Sequence, residues 1–322
     1  MAPSWAVVVP TYRRARLLPR LVTALEQQVD PPPFELVVVD DASDDDTPSV
    51  VTELARSASF PIVARRQPRN AGPAAARNLG WRTTSAEMVA FLDDDCVPSP
   101  GWLASLATAA EQLDIVQGVT QPDPQQAHLL GPFARTIAVS GFSGLFETCN
   151  IAYRRSLIQR LDGFDVRLFI AGEDTDLGLR AVAAGALAGA CLDATVLHDV
   201  RPSSFLVHIT DLWRWHTVPI TVGKHPQLRR RLYHGLFWKR THASALVAAA
   251  GLGVLATRRS GRLRLLGAIC LAPYGYDRMA RDPLPHTSTR DRARLLPAAL
   301  ACDLVEIGVC AAGSIVARTV VL

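Results

Sequence analysis

Carboxylates cluster at a few places in the first two hundred residues, and most clusters follow a run that reads as a strand. Asp40-Asp41 closes the run ELVVVDD, and Asp93-Asp94-Asp95 closes MVAFLDDD. Three adjacent carboxylates behind a buried strand repel one another: two full charges ~4 Å apart at intermediate dielectric cost about 4 kcal/mol. A bound divalent cation relieves that cost, and hard oxygen ligands favour Mg²⁺ or Mn²⁺. The alternative is an acidic turn in water. An acid at Asp40 or Asp41 can accept hydrogen bonds from a base or ribose, or it can cap a helix, since Asp44, Asp45 and Asp46 follow. Glu173-Asp174, with Asp176 close behind, opens a helical pattern after Ala171-Gly172. The helix dipole stabilises acids there. All three cannot be caps, so one aimed into a cleft is a candidate general base. His198-Asp199 follows another strand-like run, and His198 either completes a metal shell or is structural. Arg77, in Ala76-Arg77-Asn78, suits phosphate oxygens or an exposed surface position.

The elements that must hold these groups read as alternating β and α. Short β-rich runs at 5–10, 35–41, 62–66 and 88–95 alternate with helical patterns at 16–28, 74–81 and 102–113; caps at 43–47 and Pro48 open another helix. Residues 115–120 and 148–154 read as further strands, 173–184 as a helix and 190–197 as a last strand. Continuous apolar strands between amphipathic helices mean an α/β fold with a mainly parallel sheet covered on both faces. In such a sheet ligands bind beyond the carboxyl ends of the strands, where these acids lie. No Gly-x-Gly-x-x-Gly follows the first strand, and there is no Walker loop or Gly-x-Ser-x-Gly elbow. This argues against a dinucleotide oxidoreductase, a P-loop NTPase or an α/β hydrolase.

The 322 residues divide by charge. Residues 1–200 hold 16 Lys and Arg against 24 Asp and Glu; residues 201–322 hold 18 against 6. The acidic half suits a metal site. The basic half brackets apolar runs at 243–257, 265–274 and 295–317 with arginines, among them Arg229-Arg230-Arg231, Arg258-Arg259, Arg262 and Arg264. The first two runs are shorter than the ~20 residues a membrane span needs, and the third carries Asp303 and Glu306, costly in lipid. The expected domains are therefore 1–200, the α/β unit that carries the acidic clusters, and 201–322, a basic, apolar helical region. That region either lies on an anionic membrane surface, with Trp213, Trp215 and Trp238 at headgroup depth, or packs as a helical bundle. Nothing points to nucleic acid as a partner. The six cysteines form no Cys-x-x-Cys and read as small apolar fillers in a reducing compartment. Residues 1–5 run directly into a strand with no leader pattern, which places the first half in the cytoplasm, at the inner face of the plasma membrane.

The chain resembles the family 2 glycosyltransferases of the GT-A fold over about residues 5–200. The resemblance rests on Val9-Pro10-Thr11-Tyr12, Val39-Asp40-Asp41-Ala42-Ser43, Asn70-Ala71-Gly72 with Ala76-Arg77-Asn78, Phe91-Leu92-Asp93-Asp94-Asp95, and Gly172-Glu173-Asp174, in that order. It implies a nucleotide-diphosphate sugar donor, a Mn²⁺ or Mg²⁺ cofactor and transfer to a sugar or lipid-linked acceptor with inversion. Pro10, Thr11 and Tyr12 would line the nucleobase pocket, with Asp40 or Asp41 reading base or ribose and Asn70 nearby. Arg77 would lie by the diphosphate. Asp93, Asp94 and Asp95 would be the Asp-x-Asp motif, with Asp95 the metal ligand, Asp93 nearer the ribose or sugar, and His198 a further ligand. Asp174 would be the catalytic base, with Glu173 positioning the acceptor, and Thr148-Cys149-Asn150 would shape the sugar pocket. Processive members carry Gln-x-x-Arg-Trp; here Asp211 precedes Trp213-Arg214-Trp215 where the glutamine would stand, which favours single-sugar transfer. The competing readings are a nucleotidyltransferase, which lacks its glycine-rich basic loop here, and an inactive homologue acting as a membrane scaffold, which the intact Asp95 and Asp174 oppose.

Overall fold

A computed structural model describes residues 3–257 and 260–322. The chain forms two compact units. One runs to His128 and resumes over Thr136–Val200; the other comprises Leu129–Arg135 and Arg201–Leu322.

The first unit is built on eight strands: β1 Trp5–Thr11, β2 Phe34–Asp40, β3 Ile62–Arg66, β4 Met88–Leu92, β5 Cys96–Pro98, β6 Ile115–Pro122, β7 Asn150–Arg154 and β8 Ala188–His198. They join in one sheet in the order β3-β2-β1-β4-β7-β6-β8-β5. The β3, β2, β1 and β4 neighbours are parallel, as are β6 and β8, whereas β7 runs antiparallel to β4 and β6, and β5 antiparallel to β8. Helices α1 Leu18–Glu26, α2 Thr47–Ser57, α3 Gly72–Thr83, α4 Trp102–Ala110, α5 Arg155–Arg160 and α6 Glu173–Ala183 complete the unit.

The period-2 alternation of β1 explains the two layers. Val7 and Val9 face a core shared with Leu18, Leu21, Leu25, Trp102 and Leu106. Ala6 and Val8 face a second core with Ala74, Trp81, Phe91, Phe146 and Leu177. Apolar residues at i, i+3, i+4 and i+7 give α1 the single stripe that seats it, namely Leu18, Leu21, Val22 and Leu25. Burying each such leucine contributes about 1.5–3 kcal/mol. β4 ends at Leu92, so all three acids that follow lie past the ladder rather than in it.

The second unit is helical: α7 Phe205–Asp211, α8 Thr217–Lys224, α9 Arg240–Ala256, α10 Gly261–Tyr276 and α11 Thr289–Ala317. Trp213, Arg214 and Trp215 fall in a 3₁₀ turn, Leu212–His216. Arg258 and Arg259 lie outside the described residues. Among the described residues α11 is the one helix long and apolar enough to cross a membrane. Asp291 in its first turn is exposed, whereas Asp303 and Glu306 are buried and already answered. Asp303 accepts from Tyr274 Oη at 2.7 Å, Thr241 Oγ1 at 3.0 Å and Arg278 Nη2 at 2.5 Å. Glu306 accepts from Lys239 Nζ at 2.7 Å and lies 3.0 Å from His242 Nε2. His242, Asp303 and Glu306 come close enough to hold an ion, but Lys239 and Arg278 already balance the two carboxylates, which leaves a cation little to gain.

Candidate active site

The candidate residues gather where β1, β2 and β4 end and α6 begins. In parallel register Thr11 stands opposite Asp40, and the Asp41 amide donates to the Thr11 carbonyl at 2.8 Å. Thr11 Oγ1 donates to Asp94 Oδ2 at 2.7 Å, which joins the end of β1 to the acidic triplet. Pro10 is part of β1, and Tyr12, just beyond it, is exposed with the Arg13 guanidinium over its ring.

The adjacent Asp40 and Asp41 do different work. Asp41 Oδ1 accepts from Gln67 Nε2 at 2.7 Å and from the Ala71 amide at 2.9 Å, and Oδ2 accepts from the Gly72 amide at 2.8 Å. It therefore clasps the loop that enters α3. Gly72 sits at φ +83°, and a Cβ there would lie 2.8 Å from the Phe169 carbonyl oxygen, so only glycine fits. Asp40 Oδ1 accepts from the Ser43 amide at 2.9 Å, while buried Oδ2 has no hydrogen-bond partner and faces Arg66 Nε at 3.5 Å. Of the pair, Asp40 offers the open acceptor. Asn70 is exposed in the same loop.

Arg77 is not at the surface. It is buried in α3, and its two terminal nitrogens bridge Asp93 Oδ1 at 2.7 Å and Glu173 Oε1 at 3.0 Å. One guanidinium thus ties the triplet to the first residue of α6. Gly172, at φ 90°, turns the chain into that helix. Glu173 Oε2 is buried without a hydrogen-bond partner. Next to it Asp174 accepts from the Thr175 amide at 2.7 Å. Burial, then the charge of Glu173, pushes the Asp174 carboxyl well above the usual carboxylate range. Burial and then Asp95 push Asp94 up to about 7.

Asp95 faces two cations or near-cations, His198 Nε2 at 3.4 Å from Oδ1 and Arg14 Nη1 at 3.4 Å from Oδ2. The geometry of His198 tests whether this place fits a metal. Its Nδ1 lies 2.9 Å from the Asp199 carbonyl oxygen, which can only accept, so Nδ1 carries the proton. In the neutral ring, Nε2 then turns a lone pair toward a carboxylate. Two acceptors facing each other call for a proton or a cation between them, and a backbone carbonyl behind the imidazole is the usual support for a metal-binding histidine. Asp199 itself is taken up by Gln126 Nε2 at 2.6 Å. Cys96 completes a group of three possible donor atoms with Asp95 and His198, but burial holds its thiol protonated and it points toward the Cys149 carbonyl. The residues fit a hard divalent ion held by oxygen and imidazole.

Two sequence-singled motifs fall elsewhere. Asn78 spends its amide on Phe164 and the Trp81 indole. Asn150 is fully buried in β7, donating to the Val119 and Ala194 carbonyls and accepting from Trp102 Nε1, so it braces the sheet rather than a pocket. Arg14 and Arg66, which face Asp95 and Asp40, were not singled out by sequence. The arginine pair directly after β1 was the available signal for Arg14, since a chain leaving a strand end projects its next side chains over the same mouth.

A family model, glycosyl transferase family 2, matches residues 6–160. The N-terminal unit belongs to that family. The chain is 32% identical over 209 residues to the pre-mycofactocin glycosyltransferase of Mycobacterium tuberculosis, covering 61% of this chain and 42% of that protein. It is 36% identical over 110 residues to the GalNAc(5)-diNAcBac-PP-undecaprenol beta-1,3-glucosyltransferase of Campylobacter jejuni, covering 34% of this chain and 35% of the relative. The chain therefore spans less than half the length of either relative. In three dimensions it is similar to a mannosyltransferase from Pyrobaculum calidifontis solved with GDP-Man and Mn²⁺, at TM-score 0.61 and 20% identity, over 95% of this chain and 87% of the other. That similarity establishes the fold: the N-terminal unit is a GT-A sheet with its helices.

Proposed function

We propose that this chain is a glycosyltransferase that moves one sugar from a nucleotide-diphosphate donor to an acceptor hydroxyl, with inversion, using Mn²⁺ or Mg²⁺. The observation that carries the reading is the Arg77 bridge, which puts the base candidate on α6 beside the triplet at the end of β4. The N-terminal unit does the chemistry in this reading. Asp40, with its open oxygen, accepts from the base or ribose, and Pro10, Thr11 and Tyr12 border that end of the donor, with Asn70 at its rim. Asp95 and His198 hold the divalent ion, with Asp93 toward the sugar. The bound ion supplies charge stabilisation to the departing diphosphate. Asp174 takes the proton of the acceptor hydroxyl as that oxygen bonds to the anomeric carbon and the bond to the diphosphate oxygen breaks on the opposite face. Such base catalysis contributes ~10²–10⁴-fold. Glu173, locked by Arg77, positions the acceptor side.

The Campylobacter relative carries undecaprenol in its name. Together with the basic, apolar C-terminal unit, this supports a lipid-linked or cell-envelope acceptor met at the inner face of the plasma membrane. The testing experiment is a thermal-shift screen of nucleotide sugars with and without Mn²⁺, followed by donor turnover. A ligand specific for the folded state raises its stability by about 2.7 kcal/mol at a hundredfold excess over Kd. Stabilisation by one nucleotide sugar that vanishes with EDTA is expected. No response to any nucleotide diphosphate sugar would overturn the reading.

A further inference from the structure

We infer that the α9–α10 hairpin is the element that meets the membrane, lying side-on in the interface of an anionic bilayer. The inference rests on the membrane-surface part of the proposed function and is independent of the transfer chemistry.

Four observations lead to it. First, the hairpin is bare hydrocarbon along its length. Residues 245–256 read ALVAAAGLGVLA and residues 265–276 read LLGAICLAPYGY, without one charged side chain. Second, the helices pack by their smallest residues. A Cβ on Gly251 would lie 2.7 Å from the Gly267 carbonyl oxygen, and one on Gly267 would lie 2.9 Å from the Gly251 carbonyl oxygen. Backbones this close meet through small residues at the crossing, with Leu255 lying against Gly267, as in helix pairs packed within lipid. Other large side chains are turned outward: Leu265 is 64% exposed and Ile269 57%, with Leu266, Val247 and Leu252 also exposed.

Third, cationic groups stand at both ends of the apolar length and none within it. Arg262 and Arg264 are exposed at the tip. At the base, exposed Arg240 and Arg281 border an open cavity of about 200 Å³ with Tyr233, Ser244, Tyr276 and Asp277, where Arg240 faces the Asp277 carboxylate at 3.8 Å and Arg281 carries the further positive charge. Fourth, the length is wrong for crossing. Twelve helical residues rise about 18 Å, against a hydrocarbon core of ~30 Å. Tip-first entry would bury Arg262 and Arg264 in that core, which is costly. Lying flat satisfies every group at once: leucine and isoleucine enter the acyl boundary while arginines at both ends reach phosphates. The charge of the face selects an anionic surface over a neutral one.

The experiment is flotation of the full chain with phosphatidylcholine vesicles, with and without phosphatidylglycerol. Three proteins are compared: wild type, the triple variant Leu265→Ser/Leu266→Ser/Ile269→Ser, and the double variant Arg262→Gln/Arg264→Gln. Thermal melting serves as the fold control, since all five side chains are exposed or point to solvent. Wild type is expected to float with the anionic vesicles, and the triple variant to remain in the dense fraction. The double variant should partition about thirtyfold more weakly, in line with ~1 kcal/mol for each of the two arginines. Variants that float as well as wild type would overturn the hairpin assignment while leaving membrane association to another surface. Wild type that fails to float at low salt would remove both. A wild-type dimer that the triple variant dissolves, without lipid binding, would assign the face to a second copy of the chain and overturn the inference.

Discussion

At Asp174 the proposed chemistry and the local electrostatics pull against each other. A base must be ionised, yet burial and the neighbouring Glu173 favour the protonated carboxyl. The sign is plain: a carboxyl whose pKa is raised is protonated over a wider range, so the ionised fraction grows as pH rises. The acid limb of kcat/KM should therefore rise with pH and level off well above the ~4 of an ordinary aspartate. An acid limb centred near 4 would show that another group takes the proton. Asp174→Asn should abolish transfer while leaving donor affinity close to wild type, measured by calorimetry against the donor. Retained turnover in that variant would move the base elsewhere. Asp40 and Asp41 separate in the same way. Asp41→Ala removes three hydrogen bonds to the loop entering α3 and should cost about 2–4 kcal/mol in denaturant unfolding. Asp40→Asn should instead weaken nucleotide binding with little change in stability. Equal stability losses in both would remove Asp40 from the donor site.

At the scale of elements, the position of α6 depends on α3. Arg77 is buried between two carboxylates, and removing one member of such an arrangement leaves uncompensated charge. Arg77→Met is expected to cost about 3 kcal/mol or more in unfolding and to lower kcat more than it raises the KM for donor, because Asp93 and Glu173 lose their common partner. Arg77→Lys, which keeps the charge but not the fork, should fall between. Much of this arrangement was legible beforehand. The apolar runs of β1, β2 and β4 and the stripe of α1 read directly, because burial on two faces or one leaves a periodic trace. The ends were less legible. β4 stops at Leu92, before the acids, because a charged triplet cannot stay in a buried ladder. Arg77 read as a phosphate ligand or a surface residue; its burial removes the surface reading, and nothing local in Ala76-Arg77-Asn78 reveals partners sixteen and ninety-six residues away. The family resemblance implied that Thr148-Cys149-Asn150 shapes the sugar pocket, but the Asn150 amide is held by carbonyls of β6 and β8, partners that a local motif does not reveal.

At the scale of the whole molecule, each unit has its own core and its own buried ions. Asp303 gathers Arg278, Tyr274 and Thr241 inside the helical unit. Asp303→Ala strands a buried guanidinium and should destabilise that unit by about 3–5 kcal/mol. If the units unfold separately, the donor-induced thermal shift of the other unit survives in this variant; a lost shift would show that nucleotide binding needs the helical unit intact. The Arg77 bridge carries a longer consequence. Because one guanidinium grips both the donor-side acid and the helix that bears the acceptor side, the two half-sites are geared together. A lineage seeking a new acceptor could not tilt α6 without also disturbing Asp93. Acceptor range is then free to drift only through side chains hung on a fixed helix, and donor chemistry would be the slower trait to change.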